Sequence, residues 1–216
     1  MIRGAHTAAA VVVLAVTVID CAAQSSPQPA ATMTFFVTSA GRGFGADYGG
    51  VTGADVHCQQ LATAAGAARH TWHAYLSAPA TAGQSVVNAK DRIGIGPWFN
   101  FRGEMIADSV ATLHGEDNGI TRDSALTEKG TTIAPGRHDI LTGSNADGTL
   151  STDAGDTTCR GWTSHDAGRA MLGHVNRYGG GVRPTSWNSA HLSRGCSQSD
   201  LRASLGDALL YCFAAD

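Results

Sequence analysis

The chain has 216 residues, of which 43% are hydrophobic and 15% charged, and its formal net charge is −3. This length allows one main domain with additional segments and enough apolar side chains for a core. The near-neutral charge excludes the basic surface typical of nucleic-acid binding, so we expect no nucleic-acid partner. The 27 glycines favour a loop-rich, largely β structure over a helical bundle.

Residues 1–23 have the pattern of an export signal. Arg3 supplies a positive charge, and residues 8–19 form a small and apolar run. The run is shorter than the stretch of about twenty residues that a transmembrane helix needs, so we predict cleavage and export rather than an uncleaved anchor. The mature protein would then sit in the periplasm, on the cell surface or outside the cell.

Cys21 is a candidate for lipidation, because a cysteine directly after such a run can become a lipid-modified N-terminus. Asp20 stands where a small residue is usual in lipoprotein signals, and the alternative is that Cys21 is removed with the signal. Contact with a membrane is expected only through the signal or this lipid. Residues 24–33 are rich in Pro, Ser and Ala and predict a flexible linker, which leaves residues 34–216 as the domain.

The domain begins and ends with predicted strands. Residues 34–38 and 71–77 have the β-branched and aromatic content of strands, and residues 208–213 form an apolar closing strand. Between the first two strands we predict a helix that begins near Thr52 and ends at Gly66. A set of small and apolar residues recurs on one face of this helix, namely Ala54, Cys58, Leu61, Ala62 and Ala65.

A hairpin is predicted in the middle of the chain, because Asp147-Gly148 suits a tight turn between residues 140–142 and 149–151. The domain also holds four cysteines, Cys58, Cys159, Cys196 and Cys212. Free thiols are unusual in exported proteins, so we predict two disulfides. Four cysteines allow three connectivities, and their positions alone do not choose among them.

Five motifs occur in order along the domain. They are Gly53-Ala54-Asp55 with Cys58, Ala74-Tyr75-Leu76-Ser77, Leu141-Thr142-Gly143-Ser144 with Asp147-Gly148, Cys159 with Trp162-Thr163-Ser164, and Tyr211-Cys212-Phe213. Together they resemble the C-type-lectin-like superfamily, and within it the endostatin-like branch and bacterial exported lectin-like domains. The resemblance covers residues 34–216.

The resemblance implies an α+β fold: a twisted antiparallel sheet, one or two short helices, long loops, and nested disulfides Cys58–Cys212 and Cys159–Cys196. It also implies an exported carbohydrate-binding module that acts at the cell surface or in the periplasm. The alternative is a protein-binding adhesin or structural surface domain of the same fold, with a surface or matrix protein as partner. The chain has no Gly-x-Ser-x-Gly or His-Glu-x-x-His motif, so we expect a binding protein and not an enzyme.

The candidate ligand-binding residues lie before and near the third cysteine. Trp187 and Asn188 match the start of the Trp-Asn-Asp motif of sugar-binding lectins, while Ser189 replaces the acid, and His191 and Arg194 follow on the same loop. Tryptophan rings stack on sugars, and amide, imidazole and guanidinium groups supply hydrogen bonds. The alternative for the tryptophan is packing in the core.

Calcium is the one candidate cofactor, because oxygen ligands recur at close spacing in Asn145, Asp147, Asp153 and Asp156. Asn, Asp and Gly also suit tight turns, which is the competing interpretation. The nine histidines form no recognisable zinc motif, and the endostatin-like zinc site does not carry over because no histidine lies between residues 34 and 56. We therefore expect solvated or hydrogen-bonded loop histidines rather than a zinc site.

Overall fold

A six-stranded sheet forms the centre of the computed structural model, which describes residues 1–2, 4, 27–152 and 155–216. Most of the predicted export signal, Cys21 and residues 24–26 of the linker lie outside the described residues. The strands of this sheet are β1 (Phe35–Val37), β2 (Trp72–Ala74), β5 (Asp139–Leu141), β6 (Met171–His174), β7 (His191–Leu192) and β8 (Gly206–Ala214). A separate pair consists of β3 (Trp98–Phe99) and β4 (Met105–Ala107).

Short helices fill the connections. They are α1 (Gly50–Ala64), α2 (Val110–His114), α3 (Cys159–Trp162) and α4 (Gln198–Ala203), with a 3-10 turn over Ala89–Asp91. The prediction of an α+β fold with a sheet, short helices and two disulfides is confirmed. The described residues contain four such segments, of which α3 has left-handed backbone angles, where one or two helices were expected. Among the residues that the structure describes, no helix is long and apolar enough to cross a membrane.

Strand β8 is the central strand and is buried on both faces. Leu210 and Cys212 pack in the core cluster that contains α1, while Leu209, Tyr211 and Phe213 pack in a second cluster on the other side. Successive side chains of a strand point to opposite faces. A strand buried on both faces therefore has the continuous apolar sequence from which the closing strand was predicted.

The sheet is mixed, which corrects the expectation of an antiparallel sheet. Strands β1 and β2 both pair antiparallel to β8. Strand β5 instead runs parallel to β8 and antiparallel to β6. Parallel neighbours require a crossover connection rather than a hairpin, and here the chain makes it through β6, β7 and α4.

Helix α1 packs against β2 and β8 through a face of small residues. Ala54, Cys58 and Ala62 are fully buried on this face, and Asp55 forms an ion pair with Arg92 at 2.6 Å. The helix begins two residues earlier than predicted, at Gly50, after Gly49 in the left-handed conformation (φ 74°). A glycine adopts that backbone without steric cost, so the turn before the helix determines its start.

The two disulfides are Cys58–Cys212 and Cys159–Cys196. This is the nested pairing that the resemblance implied. The outer bridge joins α1 to β8, and the inner bridge joins the start of α3 to the segment before α4. Both indicate that the domain folds in an oxidising environment of the kind that exported proteins meet.

The predicted hairpin is reduced to a turn. Ser144 and Leu150 form a single bridge around Asp147 and Gly148, but residues 140–141 belong to β5 and pair with β6 and β8. At the other end of the domain, the described part of the predicted linker packs on the fold. Met33 is fully buried, and the Ala30 amide donates to the Phe101 carbonyl at 2.8 Å.

Candidate metal centre

Three histidines and one aspartate converge at the β5–β6–β7 end of the sheet. The strand register places Asp139 of β5 directly opposite His174 of β6. His138 immediately precedes β5, and His191 begins β7, the next strand beyond β6. Residues far apart in the chain are therefore brought together by strand pairing alone.

Nε2 of His138, an oxygen of Asp139 and Nε2 of His174 are close enough together to hold a metal ion. The Nε2 atoms of His138 and His174 each lie 3.3 Å from Oδ1 of Asp139. All three ligand atoms lie within 4.8 Å of one another. A tetrahedral zinc ion with bonds of about 2.0–2.1 Å holds neighbouring ligand atoms about 3.3 Å apart. The two distances from Oδ1 of Asp139 to the histidine nitrogens have this length.

The ring nitrogens of His174 have separate roles. Its Nδ1 atom lies 2.7 Å from the Pro184 carbonyl oxygen, so in the neutral ring Nδ1–H donates to that carbonyl. The lone pair of Nε2 then points into the cluster, where this atom has no hydrogen-bond partner among the described residues. A backbone carbonyl that fixes the tautomer in this way is the usual support of a metal-binding histidine.

Asp139 is a buried carboxylate at 1% exposure. Neither of its oxygens has a well-aligned hydrogen bond within the described part of the chain, although three ring nitrogens surround it at 3.2–3.3 Å. A buried charge without aligned partners costs several kcal/mol. A bound cation would compensate this charge directly.

His191 approaches the other carboxylate oxygen. Its Nε2 atom is 3.2 Å from Oδ2 of Asp139, and its Nδ1 atom is 3.0 Å from the Leu192 carbonyl oxygen. Hydrogen bonding to Asp139, although imperfectly aligned, raises the pKa of His191. Burial instead lowers the pKa of His138 and favours its neutral form, the form that binds metal. The arrangement gives His138 and His174 the character of ligands and His191 that of a support for the carboxylate.

A glycine loop covers this cluster. A Cβ atom at Gly179 would lie 2.7 Å from Cε1 of His174 and 3.3 Å from Nε2 of His138, and one at Gly181 would lie 2.8 Å from Cβ of His191. The loop therefore runs close to all three rings, and a side chain at either glycine would collide with one of them.

The expectation of scattered loop histidines is wrong for His174 and His191, which belong to β6 and β7, whereas His138 lies in the loop directly before β5. His174 is fully buried. The one local signal was the His138-Asp139 pair immediately before two apolar residues. The spacing to the other histidines follows from a sheet topology that the sequence does not reveal.

The predicted ligand residues Trp187 and Asn188 lie inside the fold. Trp187 is 3% exposed and packs against Tyr75, Tyr211 and other rings, and its indole donates to the Leu113 carbonyl at 3.1 Å. Its neighbour Asn188 is 1% exposed. All four tryptophans of the chain are buried, so no indole face is presented for sugar stacking, and core packing is the role that the structure gives Trp187.

Asn188 is saturated by internal hydrogen bonds. Its amide nitrogen lies 2.9 Å from the Tyr75 hydroxyl and donates to the carbonyls of Asn145 and Ala146 at 3.1 and 3.2 Å. The Tyr75 hydroxyl also pairs with Nε2 of His114 at 2.7 Å, and burial lowers the pKa of that histidine. The amide thus connects separate segments and has no free group for a ligand.

Of the four residues predicted to bind a ligand, only His191 joins the histidine–aspartate cluster. Arg194 has an exposed side chain, and its backbone amide donates to the Ser204 hydroxyl at 2.9 Å.

The candidate calcium ligands are engaged in turns. Asn145 donates to the Leu150 carbonyl at 3.1 Å. Asp147 accepts from the Thr149 hydroxyl at 2.6 Å and from the Thr149 amide at 3.0 Å, and these two contacts, the hydroxyl first, lower its pKa. Both oxygens of Asp156 accept from the segment that follows, namely from Thr158 and from the Arg160 amide. Asp153 lies outside the described residues. These are the contacts expected from turn chemistry.

No protein-family model matches the chain, and no curated protein matches it. The geometry of the site is therefore the basis for its function.

Proposed function

We propose that this domain binds a divalent transition metal through Nε2 of His138, Oδ1 of Asp139 and Nε2 of His174, and that zinc is the preferred ion. The observation that carries the proposal is the pair of 3.3 Å separations between these atoms, which match adjacent corners of a zinc tetrahedron. His191 holds the second carboxylate oxygen from the other side.

The donor set favours zinc over calcium. Two imidazoles and one carboxylate oxygen suit zinc, copper, nickel or iron, whereas calcium takes six to eight oxygen ligands. Binding would neutralise the buried Asp139 charge and join β5 to β6. Such a site stabilises the fold by mass action, because the unfolded chain does not preassemble these ligands.

The domain itself is proposed to be an exported binding module of the C-type-lectin-like kind. The nested disulfides, and the pairing of its first and last strands, support this assignment. Carbohydrate recognition, and its alternative of protein binding as an adhesin, stay predictions. The burial of Trp187 and Asn188 moves the search for a ligand away from the loop on which sugar-binding lectins bind theirs.

The test is calorimetric titration of the oxidised, chelator-treated protein with zinc chloride. The wild type should bind one equivalent, and Asp139→Asn should bind at least about a hundredfold more weakly, because it removes a ligand charge. At a zinc concentration about a thousandfold above the dissociation constant, the melting temperature of the wild type should rise by about 10 °C.

His165→Ala is the matched control. The side chain of His165 is 64% exposed and lies 3.3 Å from Asp47, outside the cluster. This variant should keep the zinc affinity and the thermal shift of the wild type. Absence of saturable zinc binding to the wild type, or equal binding to the Asp139→Asn variant, would contradict the proposal.

A further inference from the structure

The proposed metal site borders a small cavity on its His138 side. His138 lines this cavity together with Arg122, Asn176 and apolar residues that include Ile133 and Val175. Its volume is about 30 Å³, which is room for one or two ligands of the size of a water molecule. The cavity thus gives small molecules a place next to one of the proposed ligands.

Within the described part of the chain, three ligand atoms form one group, and the group holds no fourth. Nε2 of His138, an oxygen of Asp139 and Nε2 of His174 lie within 4.8 Å of one another, and His191 stands outside this group. The Nε2 atom of His191 instead lies 3.2 Å from the second oxygen of Asp139. Three protein ligands with one free position are the arrangement of zinc sites that accept an exogenous ligand, whereas structural zinc sites are closed by four.

The charge around that free position favours an anion. A zinc ion with one carboxylate and two neutral imidazoles carries a formal charge of +1. The Arg122 guanidinium, which lines the same cavity, adds a second positive charge. In a partly enclosed space the attraction between such charges and an anion is stronger than in open water.

We propose that the metal held by His138, Asp139 and His174 keeps one coordination position open towards this cavity, and that the position takes a small monovalent anion beside Arg122. This inference rests on the proposed metal binding. The ligands of the site would be small anions or the carboxylate end of a larger molecule. A purely structural metal site does not bind such ligands.

The experiment uses the oxidised full domain loaded with Co²⁺ in chloride-free buffer, titrated with sodium azide and followed by visible absorption. Cobalt absorption reports the number and type of ligands. We expect a saturable change of the cobalt bands, and a dissociation constant for azide about fivefold higher in Arg122→Gln. Arg169→Gln removes an exposed arginine that does not line the cavity, and it should leave azide binding unchanged.

Two failures are distinguishable. If cobalt does not bind at all, metal binding itself is wrong. If cobalt binds but its absorption bands do not change with azide, the open position is wrong while metal binding stands. Loss of a ligand from the cobalt spectrum of His191→Ala would then identify His191 as the fourth protein ligand.

Discussion

The Asn188 amide shows how one polar side chain can connect distant parts of this fold. It bonds the Tyr75 hydroxyl after β2 and two carbonyls in the turn before Asp147. Its own oxygen accepts from the Ser186 hydroxyl at 3.1 Å. Buried polar groups require partners, and here one amide satisfies several of them. The Trp-Asn sequence therefore marks a structural centre of the domain.

Replacement of Asn188 by alanine should lower the free energy of unfolding by about 2–3 kcal/mol, because the Tyr75 hydroxyl and two carbonyls lose a partner. Urea denaturation measures the change. Asn176→Ala is the control, since the described contact of Asn176 is one bond from the Tyr178 amide to its side-chain oxygen, and its loss should cost less than about 1 kcal/mol. A stable Asn188→Ala protein would contradict a structural role.

Among the elements, α3 has an unusual backbone. Its four residues Cys159, Arg160, Gly161 and Trp162 have φ angles of 49°, 58°, 65° and 69°, so the segment is a left-handed turn. Each non-glycine residue in this conformation costs about 1–2 kcal/mol. The Cys159–Cys196 bridge, Asp156 and the buried Trp162 side chain hold the turn in place.

Arg160→Gly should raise the free energy of unfolding by about 0.5 kcal/mol, because glycine relieves the left-handed strain by more than it adds in unfolded-state entropy. Arg169→Gly is the comparison: Arg169 is also exposed but is not among the residues with positive φ, so glycine should destabilise there. Chemical denaturation measures the change in the free energy of unfolding for both variants. A loss of stability in Arg160→Gly would show that the turn is not strained.

Elements with a strong local pattern were predictable, and the site was not. Buried residues form a recognisable local pattern in three elements, namely the apolar run of β8, the aromatic β1 and the small-residue face of α1. The candidate metal centre instead depends on β5 lying between β6 and β8, with Asp139 opposite His174. Strands of two to four residues carry too little periodicity to reveal such pairings, so the histidines looked unrelated.

At the scale of the whole molecule, two covalent bridges constrain a chain with many loops. The outer bridge spans 154 residues and the inner one 37. In the chain-entropy account, a bridge stabilises the fold by restricting the unfolded chain, and more so for a longer loop.

The double replacement Cys58→Ala/Cys212→Ala should therefore lower the free energy of unfolding by about 5 kcal/mol, and Cys159→Ala/Cys196→Ala by about 4 kcal/mol. Urea denaturation of both variants and of the oxidised wild type measures which loss of unfolding free energy is larger. A loss below about 2 kcal/mol for the outer pair would mean that the unfolded chain is already compact without that bridge.

The central position of β8 also has a consequence for how the molecule is made. Strands β1, β2 and β5 all pair with residues 206–214, which leave the ribosome after every one of them. Cys58 and the three strands are therefore synthesised before the cysteine and the strand with which they pair. The outer disulfide and the centre of the sheet can form only once the last residues of the chain have been made.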